Sequence, residues 1–192
     1  MRKVTLIFGL LSGAIISMFM ILGLVLFETG VMTTTFSALV GYGTMVIALS
    51  MVFFGIKSYR DNYQNGAIGF WKGVQVGLFI SLIASFMYAL TWETYMQARP
   101  ASAAAFIEKC TESAINKMKE NGDPPDKIDQ QIKELDHMMN LYRNPVFRFG
   151  FTMLVEILPV GIVITLISAA LLRKKELLPA QHFERNNPRL ET

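Results

Sequence analysis

Residues 4–27 read VTLIFGLLSGAIISMFMILGLVLF, an unbroken apolar run. A helix needs ~20 predominantly apolar residues to cross the hydrocarbon core of a bilayer, and this run is long enough. Three further stretches, 34–56, 71–92 and 146–172, are of similar character. The expected fold is therefore all-α, an integral membrane four-helix bundle. Residues 1–93 hold the first three spans (4–27, 34–56 and 71–92), and 94–144 form an extracytoplasmic helical hairpin. The fourth span falls within 145–175, and 176–192 make a cytoplasmic tail.

Composition agrees with this reading. A hydrophobic content of 52% in 192 residues, concentrated in long runs, is too apolar for a soluble domain of this size. The pI near 9.0 would suit a nucleic-acid partner, but the basic residues gather at the ends of the apolar runs, where they act as topology signals. The expected partner is the lipid bilayer, and no nucleic acid. A lone cysteine, Cys110, excludes an intramolecular disulfide. Arg2 and Lys3 ahead of an apolar stretch imitate a signal peptide. The stretch is about twice a usual h-region and lacks a small-residue cleavage site, so a retained span is expected.

Lysine and arginine placement sets the orientation. Arg2, Lys3, Lys57, Arg60, Lys72, Arg173, Lys174 and Lys175 cluster in short segments on one side, whereas the tight loop 28–33 has none. Positive charge stays cytoplasmic, so both termini are expected inside and residues 94–144 outside. Lys57, Arg60 and Lys72 are then candidates for anionic lipid headgroups.

Small residues recur at helical spacing. Gly9, Gly13 and Ser17 in the first span match Gly73, Gly77 and Ser81 in the third, and Phe27-Glu28-Thr29 matches Trp92-Glu93-Thr94. This reads as an internal repeat of a two-helix unit, with chance likeness between apolar helices as the alternative. In the third span the row extends as Gly69, Gly73, Gly77, Ser81 and Ser85, all on one helical face. Small faces let helices approach closely in lipid. The expected use is a packing seam against the first span, and homodimerisation is the second use.

The polar insertion is helical by pattern. Ile107, Cys110, Ala114 and Met118 share one face, as do Ile128, Ile132, Leu135, Met139 and Tyr142. Asn121-Gly122 ends the first helix, and Asp123-Pro124 supplies an N-cap and first-turn proline for the next. A helix pair of this size has little core of its own. Its apolar stripe needs cover from the membrane domain, from itself, or from a membrane or periplasmic protein partner.

Glu156 lies about ten residues into the fourth span, near mid-membrane at ~1.5 Å per residue. An ionised carboxylate there costs at least ~2.5–3.5 kcal/mol on insertion scales. It should be protonated, paired or facing water. Pro159 cannot donate to the Val155 carbonyl, which leaves a free acceptor beside Glu156. Such a carboxylate at a broken helix suits proton or cation coupling; the plainer reading has it bonded to Thr152 or to another helix. Glu28 and Glu93 are expected at the outer interface, where they can converge with Arg148. Tyr88, Trp92 and Tyr95 are expected in an interfacial aromatic belt.

Two motifs carry no weight. Val40-Gly41-Tyr42-Gly43 imitates part of a potassium filter, but Leu39 stands where threonine is needed and the residues beyond are required for the span. Glu134-x-x-His137 has metal-ligand spacing, yet a di-iron site needs two such motifs and further carboxylates. No nucleophile elbow or phosphate-cradling loop is present. No enzymatic activity, cofactor or metal is expected.

The stretch 57–73, KSYRDNYQNGAIGFWKG, joins Tyr59-Arg60 to a Gly-x-Ile-x-Phe at 66–70 and a glycine-containing third span. In this the chain resembles the bacterial domain-of-unknown-function family number 4199. The resemblance covers most of the chain and implies a four-span protein with a polar segment between spans three and four. It implies a bacterial cytoplasmic (inner) membrane, and no activity. The functional expectation is a non-enzymatic scaffold or accessory subunit that binds a partner through its hairpin. The alternative is a small transporter or permeation protein coupled to protons or cations through Glu156.

Overall fold

Each apolar run becomes a helix, because a helix satisfies its backbone hydrogen bonds within the segment, as lipid demands. The computed structural model describes residues 2–29, 34–122 and 124–173, and among these no strand occurs. Helix α1 (Arg2–Glu28) is the first span. The second is made of α2 (Thr34–Leu49) and α3 (Met51–Tyr63), which meet at Ser50. There the Ser50 amide is shared between the Val46 and Ile47 carbonyls at 2.9 and 3.2 Å, and its hydroxyl donates back to Ile47 O at 2.5 Å. Serine back-bonding of this kind bends helices.

The third span, α4 (Phe70–Ala98), runs six residues past the expected end at position 92. Hydropathy stops at Trp92, but Glu93 and Gln97 continue the helix because both are held by hydrogen bonds. Two helices follow, α5 (Pro100–Glu120) and α6 (Pro125–Tyr142), packed against each other. Gly122, with φ +73°, ends α5 in the left-handed conformation that glycine adopts freely. Helix α6 starts one residue later than the sequence suggests. Pro125 takes the first helical position, and Pro124 is extended (ψ 143°), as a residue before proline must be. Asp123, the expected cap, lies outside the described residues, as do the loop 30–33 and the tail 176–192.

The fourth span comprises α7 (Pro145–Phe151), a π-helical segment (Thr152–Ile157) and α8 (Leu158–Leu172). Its start is well built: Pro145 occupies the first turn and the Asn144 side chain accepts from the amides of Val146 and Phe147 at 2.9 and 3.4 Å. Four helical segments are long and apolar enough to cross a membrane. The chain is a multi-pass membrane protein.

Packing is inverted relative to a soluble protein. Leu10, Ile21, Ile47, Phe54, Phe86, Leu90, Val163 and Ile167 face outward, whereas Ser12, Ser81, Ser85, Thr152 and Thr165 are buried. Lipid tails are as apolar as leucine, so burying leucine gains little there; close approach and interhelical hydrogen bonds hold the spans together. Ser12 donates to Ala48 O (2.8 Å) and Thr91 to Ser17 Oγ (3.0 Å), while Ser81 and Thr165 hydroxyls lie 3.4 Å apart. The ends of the spans carrying Arg2, Lys3, Lys57, Arg60, Lys72 and Arg173 form one basic end of the molecule. The α5–α6 pair stands at the other.

The glycine rows serve different neighbours. A Cβ on Gly9 or Gly13 would meet Ile83 or Met87 of α4 at 2.7 Å. Gly73 and Gly77 instead face Ala169 and Thr165 of α8, and Ser81 faces Gly161. The third span's row thus packs on the fourth span, and not on the first as its likeness to the first had suggested. Period fixes which residues share a face, and it says nothing of what lies opposite. Gly69 has open space around it and precedes α4, so it does not belong to the seam.

Candidate functional site

Helix α4 also builds a very different environment. Tyr88 and Trp92, one turn apart, project from its C-terminal half toward a cavity of about 490 Å³. Ile16, Phe19, Met20, Gly23 and Leu24 of α1 form one wall, at the i, i+3, i+4, i+7 and i+8 positions of a single helical face. Val40, Gly41, Tyr42, Thr44 and Met45 of α2 form another. Phe106 and Cys110 of α5 reach in from the α5–α6 end, and Glu156 supplies the only carboxylate among the described lining residues.

Glu156 reaches this position from the π-helical segment. The Leu158 amide donates to the Met153 carbonyl, five residues back, so the helix widens just before Pro159. Such single-turn insertions are frequent at functional sites. The proline's missing donor is thereby absorbed into a wider turn. Thr152 is fully buried, and its hydroxyl lies 3.4 Å from the Tyr142 hydroxyl. Glu156 is half-buried, with no hydrogen-bond partner among the described residues, and opens to the cavity. Pro159 is exposed on the apolar surface.

A network of stronger polar contacts holds the cavity's surroundings. Arg148 is buried and grips Glu93 through two hydrogen bonds, of 2.8 and 2.6 Å, while a third reaches Tyr142 O at 3.2 Å. Gln97 adds a bond to Glu93 at 3.0 Å. The Trp92 indole donates to the Tyr142 hydroxyl at 2.8 Å, and burial pushes the Tyr142 phenol above its ordinary range. Glu28 accepts from Tyr95 and Arg99, both at 2.8 Å. Glu93 therefore converges with Arg148, and Glu28 is served separately by Arg99.

Helix α5 is pinned over the cavity by Phe106, whose ring meets Phe27 edge-on at 5.0 Å and Trp92 at 6.1 Å. Cys110, one turn further along, is exposed at the cavity rim, with its thiol pushed up by partial desolvation. Trp92 is buried and Tyr88 packs against the core. These two rings face inward, where the sequence had suggested an interfacial belt. The cavity itself gathers residues the sequence reading used elsewhere or passed over. Tyr42 had drawn notice only within a false filter motif, and Cys110 as one position of an apolar stripe. The signal in that stripe was partial: it held Cys110 with Ile107, Ala114 and Met118, but not Phe106 one turn before Cys110.

At the basic end, Lys57 and Lys72 are exposed, with Lys72 donating to Gln75 at 3.3 Å. Arg60 is engaged by Asp61 at 2.7 Å. Glu134 accepts from Gln130 at 3.1 Å and His137 is exposed.

No curated protein and no solved structure matches the chain. A family model does, over residues 7–174, and it covers every described span almost end to end. The chain belongs to the family described as "Protein of unknown function (DUF4199)".

Proposed function

We propose that the protein is a small transporter or permeation protein that binds its ligand in the cavity between α1, α2, α4 and the π-helical segment, with Glu156 as the proton- or cation-coupling group. The observation that carries this reading is Glu156 itself, a carboxylate displayed by a widened helical turn into a 490 Å³ space within the spans. Cavities of this size, mostly apolar with few polar groups, are typical of small-molecule sites. An ionisable group at membrane depth is costly and marks ion or substrate pathways. The titratable groups that share its surroundings are Tyr42 on α2, Tyr88 on α4, Cys110 on α5 and Tyr142 at the end of α6. None of these is acidic in the carboxylate range, and α1 contributes none to the lining. Glu156 is accordingly the group assigned to proton exchange, as the carboxyl group among the described lining residues.

In this reading the basic end faces the cytoplasm, by the positive-inside rule, and α5–α6 stand outside a bacterial cytoplasmic membrane. Lys57 and Lys72 then meet anionic headgroups. The test is proton flux into proteoliposomes containing pyranine, driven by a potassium diffusion potential. The wild-type chain acidifies the lumen, and Glu156→Gln abolishes the flux. Equal flux from both proteins would sink the reading.

The half-buried stripe of Ile128, Ile132, Leu135 and Met139 on α6 supports a second reading, an accessory subunit that docks a partner through α5–α6. Crosslinking in native membranes, with and without residues 101–141, separates the two. A stoichiometric partner lost with that segment favours the accessory role.

A further inference from the structure

We infer that the cavity ligand is a hydrophobic organic cation, a lipophilic amine or quaternary onium ion whose charge pairs with Glu156 while its apolar body lies against Tyr42, Tyr88, Trp92 and Phe106. This rests on the reading of the cavity as a ligand site and specifies what the site accepts. The lining contains one carboxylate and no lysine or arginine. Arg148, the nearest cation along the fourth span, is already committed to Glu93 at 2.6 Å. Beside an ionised Glu156 an anionic ligand would bring a second negative charge that no lining residue neutralises, and a neutral ligand would be compatible only with the protonated acid. A cation meets neither limit, because a desolvated charge is tolerated when its partner is desolvated beside it.

The aromatic walls sharpen the choice. Faces of tryptophan and tyrosine attract cations, most strongly the weakly hydrated ammonium and onium type. An inorganic ion fits poorly: calcium takes 6–8 oxygen ligands and magnesium a near-ideal octahedron. Among the described residues no three metal-ligating side chains cluster anywhere. Among the described lining residues, the side-chain oxygens besides those of Glu156 are the hydroxyls of Thr44, Tyr42 and Tyr88. The volume suits a body of several rings or a branched alkyl chain.

The position of the cavity suggests how such a molecule is read out. The chain has two tryptophans. Trp71 is 79% exposed at the basic end and Trp92 lines the cavity, so Trp71→Phe leaves a single emitter at the site. Cys110 is the only thiol and also lines it, giving a second reporter in the unmodified chain.

The test titrates tetraphenylphosphonium into the Trp71→Phe protein in detergent, with tetraphenylborate as an anion of the same shape. Tetraphenylphosphonium should change Trp92 emission saturably and slow maleimide labelling of Cys110, and tetraphenylborate should do neither. Glu156→Gln should weaken cation binding by about tenfold or more, and Glu156→Asp should retain most of it. If Glu156→Gln does not fold, protection of Cys110 in the wild-type chain by the cation but not the anion still decides charge selectivity. Equal binding of both ions, unchanged cation affinity in Glu156→Gln, or no saturable binding would each overturn the inference. The proton-flux assay contains no organic cation. Flux that survives without tetraphenylphosphonium binding therefore removes this inference alone, and binding without flux removes the transport reading.

Discussion

The N-terminal half of α4 meets α8 without a gap, and the C-terminal half, packed on α1 through Ile83 and Met87, borders open space on another face. From Gly73 to Ser81 it presses against α8, where an added Cβ on Gly77 would lie 2.6 Å from Thr165 Cγ2. From Tyr88 to Trp92 it helps enclose 490 Å³ with α1, α2 and α5. The first half uses residues with almost no side chain, so backbone contact and hydroxyl pairs hold it. The second brings Tyr88 and Trp92 to the cavity on one face while Ile83 and Met87 pack against the glycines of α1 on another. Lipid gives helices little hydrophobic reason to associate, so a membrane protein that keeps an internal cavity must secure its fold elsewhere. Here the security lies in the α4–α8 seam and in the ion pair where α4 meets the start of the fourth span.

That division can be broken most severely at the ion pair. Arg148 and Glu93 side chains are only 9% and 12% exposed. Arg148→Met strands a buried carboxylate and should cost about 3–5 kcal/mol, measured by denaturant unfolding in mixed micelles. Replacing both residues together, Arg148→Met with Glu93→Leu, should recover most of that loss. If the double variant is no better than the single, the penalty does not come from an orphaned charge.

The seam comes next. Gly77→Ala must push apart Thr165, whose branched side chain has little rotameric freedom, at a cost of about 1–3 kcal/mol. The control belongs to the cavity half. Gly23 lines the cavity with nothing within 4 Å of an added Cβ. Gly23→Ala should therefore stabilise by roughly 0.5–1 kcal/mol, the usual helix gain over glycine. Equal effects at the two positions would mean that the α4–α8 seam and the cavity wall do not differ in packing as described.

The smallest effect is kinetic. Burial raises the Cys110 thiol above its ordinary value, and the thiolate is the reactive form. Maleimide labelling should be slower than that of a free thiol near neutral pH, then accelerate as pH rises past the usual thiol range. Labelling as fast as a free thiol at neutral pH would mean that this exposed thiol is not desolvated at the cavity edge.

The four spans were legible because hydropathy alone decides them, and the end of α4 was missed for the same reason. Glu93 and Gln97 are polar residues in a helix whose extension depends on Arg148, 55 positions away. That Glu156 would need an unusual setting was legible from the energetic penalty of a carboxylate at that depth. Its surroundings were not, since Ile16, Tyr42, Tyr88 and Phe106 come from four different helices and share no local pattern. Small-residue rows showed that close packing occurs, but facing partners follow from the arrangement of helices in three dimensions. The two rows that look alike in sequence, beginning at Gly9 and Gly73, end up against α4 and α8 respectively.

The widened turn at Thr152–Ile157 makes the fourth span sensitive to length as well as to composition. A helical residue advances the chain by about 100° around its axis. Rewinding this segment as an ordinary α-helix, with all of its residues kept, would turn each of them by that full angle in place of the smaller one of a wide turn. It would also rotate α8 relative to α7 by about that angle. Either Gly161 would leave Ser81 or Glu156 would leave the cavity, because α7 and α8 could no longer both keep their present facing. The extra residue thus works as a phase shift that lets one span meet two incompatible demands: a glycine turned to α4 for packing, and a carboxylate turned toward the space beside it.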